Sequence, residues 1–214
     1  MSLPISDKQA VVAITYADGN WGVPIKDRVT LPFTNHHING ILCQETAYFW
    51  LNYIVRISPS QVTARCVLDG SGDVAGTSRN AFPRNTEAFR RHFGDEFTEL
   101  LIREGNKSRA LRGMKPWGKI YKGYGPFQYD LQYSLTDEVF FRERHWYDIK
   151  LCVDKCVGEL EVKYKQQGNV PEAIRSYNGS GPRAREYRDN VLHYAALSER
   201  LLAPKLIIEE KVLM

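Results

Sequence analysis

The sequence lacks any run of about 18 apolar residues, the length a bilayer-spanning helix needs, and its first thirty residues have no basic start followed by an apolar block. Neither a membrane span nor a secretory signal is therefore expected. Cysteine is scarce, four residues in 214, which excludes a small disulfide scaffold. No C-x-x-C occurs, Cys152 and Cys156 stand four apart in a helix-like segment, and Cys43 and Cys66 belong to other segments. All four read as core thiols rather than bridges. Five scattered histidines offer no zinc spacing, and His36 and His37 would project on different sides of a helix. No metal and no cofactor is expected.

What remains is the composition of an ordinary globular protein, 43% apolar and 25% charged, with a mean hydropathy of −0.41. A chain of this length buries roughly 70% of its unfolded surface and holds a full core as one domain, 1–214. The net charge of +4 is mild but uneven. Between Arg79 and Lys122 stand eleven Lys or Arg against five Asp or Glu, a local +6 that leaves −2 elsewhere. Such a patch suits a polyanion. No base-reading motif accompanies it, so nucleic acid is not the expected partner.

Along the chain, residues 1–35 carry Gly, Pro, Asn and Asp around short apolar stretches such as Ala10–Tyr16 and read as an extended arm with at most a strand or two. From His36 to Ile57 apolar residues are dense enough for a buried helix, ended by Pro59. A second helix is expected over Gln61–Leu68, stopped by Asp69-Gly70-Ser71-Gly72-Asp73. A basic helical pair follows over Thr86–Arg112, with Phe89, Phe93, Phe97, Leu100 and Leu101 at spacings of three and four. Gly113–Pro126 reads as an aromatic loop. Further helices are predicted over Tyr147–Gln167, closed by Gly168, over Pro171–Ser176, and over Ala184–Leu202 with Pro182 at a first helical position. With strands confined to the amino-terminal arm, the fold class is mainly α.

Three constellations carry chemistry. Glu45 lies in the middle of the most apolar helix, where burial raises a carboxyl pKa toward that of a general acid working near neutral pH. In Gly123-Tyr124-Gly125-Pro126-Phe127-Gln128-Tyr129-Asp130, two glycines allow a tight turn, Tyr124 offers a flat face for a sugar ring, and Gln128 and Asp130 are able to bond hydroxyls or water. Tyr177-Asn178-Gly179-Ser180-Gly181 places an aromatic and an amide at a helix terminus.

In this order the three motifs resemble the lysozyme-like superfamily, specifically goose-type lysozymes and soluble lytic transglycosylases. The resemblance implies that Glu45 is the catalytic acid. The family's glycine loop, close to G-[FYA]-G-L-M-Q-x-D, matches Gly123, Tyr124, Gly125, Gln128 and Asp130, with Pro126 and Phe127 in place of Leu-Met. Its Y-N-A-G-x-G segment matches Tyr177 and Asn178, with Gly179 standing in for the alanine and Ser180 for the first glycine. The separation departs from the family: Glu45 and Gly123 lie much further apart than the usual twenty to thirty residues, so 69–122 reads as an inserted basic helical region beside the cleft.

The resemblance further implies cleavage of the β-1,4 bond between N-acetylmuramic acid and N-acetylglucosamine in peptidoglycan. Glu45 would protonate the glycosidic oxygen. A second carboxylate would then activate water in a hydrolase, with Asp130 first and Asp73 or Asp69 after it, or the sugar's own 6-hydroxyl would attack in a transglycosylase. Tyr124, Gln128, Tyr177 and Asn178 would bind the glycan, while Asp148 and Glu143 read as capping or surface acids. A chitin- or chitosan-degrading enzyme and a non-catalytic glycan-binding or phage structural module of the same fold stay open. The implied substrate is extracytoplasmic, which leaves a domain of a longer chain, a phage product and a secreted effector as alternative settings.

Overall fold

The computed structural model describes residues 3–204, and helices dominate it. The mainly α class is as expected, but the first element is a correction. Residues Asp7–Arg28 form one 22-residue helix, α1. Its buried stripe of Ala10, Ala13, Ile14, Ala17, Trp21 and Ile25 follows the 3–4 spacing of a helix face. Ser6 and Gln9 close its start with a capping box. The Gly, Asn and Pro punctuation that suggested an extended arm is tolerated within this helix, Pro24 in its last turns. Buried apolar area outweighs a local propensity penalty of about 1 kcal/mol per glycine.

The helix expected over His36–Ile57 is interrupted. Helix α2 (Asn35–Leu42) passes into a π-helical turn, Cys43–Ala47, then one short helical turn, α3 (Tyr48–Trp50), and a run of turns. Pro59 does not end this segment. It opens α4 (Pro59–Arg65) at a first-turn position, behind a capping box of Ser58 and Gln61. The predicted Gln61–Leu68 helix is correspondingly shorter, because Val67–Leu68 is strand β1.

Strands are not confined to the amino terminus. β1, β2 (Gly123–Tyr124) and β3 (Tyr129–Asp130) form a small antiparallel sheet in the order β1-β2-β3, with Val67 opposite Tyr124 and Gly123 opposite Asp130. The glycine loop is therefore a hairpin. The pairing also explains how a long sequence separation is spanned: the chain leaves the sheet after Leu68, passes through α5 (Thr86–Leu111), which is broken at Gly94, and returns beside its departure point. The Lys122 amide donates to the Asp69 carbonyl at 2.9 Å, closing the base of this excursion.

After β3 come α6 (Glu138–Arg142), α7 (Ile149–Gln167), α8 (Val170–Tyr177) and α9 (Gly181–Leu202). Asp148 caps α7, as expected of it, and Gly168 ends that helix in the left-handed conformation. The core is continuous from α1 to α9. Tyr16, Trp21 and Trp50 meet with ring centroids 5.4 to 5.8 Å apart. The four cysteines are buried and free. Helix α2 lies closely on α9: a Cβ on Gly40 would stand 2.4 Å from the Val191 carbonyl oxygen. Among the described residues no helix is long and apolar enough to cross a membrane.

Candidate functional site

A cleft of about 460 Å³ opens between the π-helical turn, the hairpin, α7 and the end of α8. Glu45, Gln128, Asp130, Tyr177 and Asn178 all line it, together with Tyr48, Asp69, Tyr133 and Glu159. Residues separated by more than a hundred positions in sequence thus meet at one surface.

Glu45 sits in the π-helical turn Cys43–Ala47. An extra residue in a helical turn re-aims the side chains it carries and recurs at functional sites. Its neighbour Thr46 is fully buried and donates to the Pro126 carbonyl at 2.8 Å while accepting from Trp50 Nε1 at 3.1 Å. Burial pushes the Glu45 carboxyl from its ordinary value up to about 7, opposed by a hydrogen bond from Tyr187. That bond, from the Tyr187 hydroxyl to Glu45 Oε1, measures 2.7 Å. Tyr187 belongs to α9 and stacks on Tyr177, with centroids 6.3 Å apart and planes 20° from parallel.

Asp130 is held from behind. Its Oδ1 accepts from Arg79 at 2.5 Å and from the Gln132 amide at 2.7 Å. Among the described residues its Oδ2 receives no hydrogen bond. Burial raises its pKa, against the lowering effect of Arg79. The other acids at the cleft are occupied on both oxygens. Asp69 accepts from the Ser71 amide and hydroxyl, and Glu159 accepts from the Tyr133 hydroxyl at 2.5 Å and pairs with Lys163 at 3.5 Å.

Three sequence expectations are corrected. Tyr124 does not face the cleft: it is 1% exposed and packs edge-on against Phe141 and Trp146. Alternation along β2 leaves one side of the strand for the core, and the tyrosine ring takes it. Gln128 lines the cleft but spends its amide on the hairpin, donating to the Gly125 carbonyl at 2.8 Å and the Cys66 carbonyl at 3.2 Å. The G-x-G spacing follows from this packing, since a Cβ on Gly123 would lie 2.2 Å from Gln128 Oε1 and one on Gly125 2.7 Å from Cys152 Sγ. Asp73 is structural. It accepts from the Thr86 amide and hydroxyl and from the fully buried Lys122 ammonium, away from the cleft.

Tyr177 reaches the cleft, although its hydroxyl is committed to the Phe127 carbonyl at 3.0 Å. Asn178 is exposed at the rim. Sequence reasoning missed Tyr187 and Glu159. The available signal for Tyr187 was its place on the buried face of α9 with Ala184, Val191 and Tyr194, where a phenol hydroxyl needs a partner. For Glu159 it was an acid one residue before Leu160, beside the buried face of α7.

Several basic side chains of the 69–122 segment are engaged within the protein. Arg79 and Lys122 serve Asp130 and Asp73, and Arg109 and Arg112 both reach the Tyr121 hydroxyl. Arg84, Arg91, Arg103, Lys115 and Lys119 are exposed.

Compared with protein-family models, with curated proteins and with solved structures, the chain matches none.

Proposed function

We propose that the protein is a peptidoglycan glycosidase that hydrolyses the β-1,4 bond between N-acetylmuramic acid and N-acetylglucosamine, with Glu45 as general acid and Asp130 as general base. The observation that carries this reading is the placement of two carboxyl groups in different settings on one open cleft: Glu45, held through Oε1 by the Tyr187 hydroxyl, and Asp130, held through Oδ1 by Arg79; burial raises the Glu45 pKa. Two carboxyl groups in different environments are what glycoside hydrolysis needs.

In this reading Glu45 is protonated below neutral pH and delivers its proton to the glycosidic oxygen as that bond breaks. Positive charge develops at the sugar carbon. Asp130, held by Arg79 and the Gln132 amide through Oδ1, takes a proton from the attacking water through Oδ2. Asn178 at the rim bonds polar groups of the glycan, and the half-exposed ring of Tyr48 offers it an apolar face. The resemblance of the three motifs to goose-type lysozymes and soluble lytic transglycosylases supports the substrate class.

One observation favours a second reading, a chitosan-type glucosamine polymer. Four carboxyl groups line the cleft, and no Lys or Arg is among its lining residues. Turbidity clearing of purified cell walls, run beside chitin and chitosan assays, tests both. Clearing by the wild type and none by Glu45→Gln supports the wall substrate, and activity confined to chitosan replaces it.

A further inference from the structure

We infer that Tyr187 is a positioning residue for Glu45, fixing which carboxyl oxygen delivers the proton. The inference rests on the reading of Glu45 as the acid. The Tyr187 hydroxyl holds Oε1 at 2.7 Å, and among the described residues Oε2 receives no hydrogen bond. A carboxylic acid whose one oxygen accepts a phenol hydrogen bond keeps its own proton on the other. The free oxygen is thus the donor.

The hold is built from several elements. Tyr187 lies on α9, whose backbone is brought against α2 at Gly40, five residues before Glu45. Its ring stacks on Tyr177, and the Tyr177 hydroxyl donates to the Phe127 carbonyl in the hairpin turn. The acid, the last helix and the hairpin are thereby locked into one arrangement. Such support from behind leaves the reactive oxygen free and removes rotamer freedom that would otherwise be lost at each turnover.

The titratable groups packed around Glu45 are Tyr48 from the following turn, Cys156 from α7, Tyr177 from α8 and Tyr187 from α9. All four have their pKa raised by burial and are neutral near pH 7. Glu159 and Asp130 line the same cleft. Of these groups, Tyr187 is the one that hydrogen-bonds Glu45, and it favours the ionised form. Removing the hydroxyl therefore moves the Glu45 titration upward.

The test is Tyr187→Phe, which keeps the stacked ring. Two readouts are taken: the Glu45 side-chain carboxyl titration by carbon-13 NMR, and the pH profile of kcat/KM on cell walls. The expected result is an upward shift of about one pH unit in the NMR midpoint and in the descending limb of the profile, with a fall in kcat at unchanged KM. Tyr187→Met, also lacking the hydroxyl, gives a second reading if the phenylalanine variant folds poorly. An unmoved NMR midpoint overturns the inference. Near-normal clearing by Glu45→Gln instead overturns the glycosidase reading, while the NMR titration still decides whether Tyr187 holds Glu45.

Discussion

The Thr46 hydroxyl donates to the Pro126 carbonyl across 2.8 Å, fastening the residue beside Glu45 to the turn that precedes Asp130. This buried bond ties together two halves of the cleft that lie eighty residues apart in sequence. It makes the geometry of the site depend on a small side chain that touches no substrate.

Thr46→Val keeps the shape and leaves the Pro126 carbonyl and Trp50 Nε1 without their partner. The expected cost is about 1–3 kcal/mol of stability, read by urea unfolding, with Thr46→Ser recovering most of it. A valine variant as stable as the wild type would show that the bond contributes nothing.

Glu45 gives a stability prediction of known sign. Its folded pKa, about 7, lies above the ordinary value of 4.5, so the folded state binds more protons than the unfolded state between those pH values. Stability is then lost as pH rises from about 4.5 to 7. Glu45→Gln should stabilise the protein at pH 8 by roughly 3 kcal/mol and by nothing near pH 4. Thermal melts at the two pH values measure this. A destabilised glutamine variant at pH 8 would contradict the raised pKa.

Gly40→Ala forces a methyl group to within 2.4 Å of the Val191 carbonyl oxygen. Because that obstacle is backbone, α2 and α9 must separate, at an expected cost of about 1–3 kcal/mol. Glu45 and Tyr187 ride on either side of this contact. The variant should lose lytic rate even at temperatures where circular dichroism shows it folded.

Asp73 and Asp130 should part company under the same change of acid to amide. Asp73→Asn leaves the Lys122 ammonium buried without a counter-charge, costing about 3–5 kcal/mol. Asp130→Asn should reduce wall hydrolysis by about a hundredfold or more, with a smaller loss of stability because Arg79 keeps Asp69 3.7 Å away. A wild-type rate from Asp130→Asn would remove it as the base and point to attack by the sugar's own hydroxyl.

Much of the site was legible because its chemistry is local. An acid in an apolar run, glycines two apart and a Tyr-Asn pair each announce a constrained position. The long helices α5, α7 and α9 follow their 3–4 spacing, whereas the five-residue α6 is too short to show one. Residues 1–35 read as an arm because Gly19, Gly22 and Pro24 are local breakers, whereas the burial of Trp21 and Ile25 that overrides them is tertiary. The strands leave no sequence signal for a related reason: two-residue strands such as Val67–Leu68 have no periodicity and exist through their partners. Tyr124 reads as a sugar-facing ring because its segment reads as a loop, whereas strand pairing turns that ring into the core. Tyr187 and Glu159 belong to helices whose relation to Glu45 is set by packing, and no spacing rule reaches that far.

The central claim is that Glu45 and Asp130 hydrolyse the glycan strand. Mass spectrometry of muropeptides released from purified peptidoglycan by the wild type and by Glu45→Gln tests it most directly. The expected result is release of saccharides with free reducing ends by the wild type and no release by the folded variant. Anhydro-sugar products would contradict the role given to Asp130, and equal release by Glu45→Gln would contradict the claim itself.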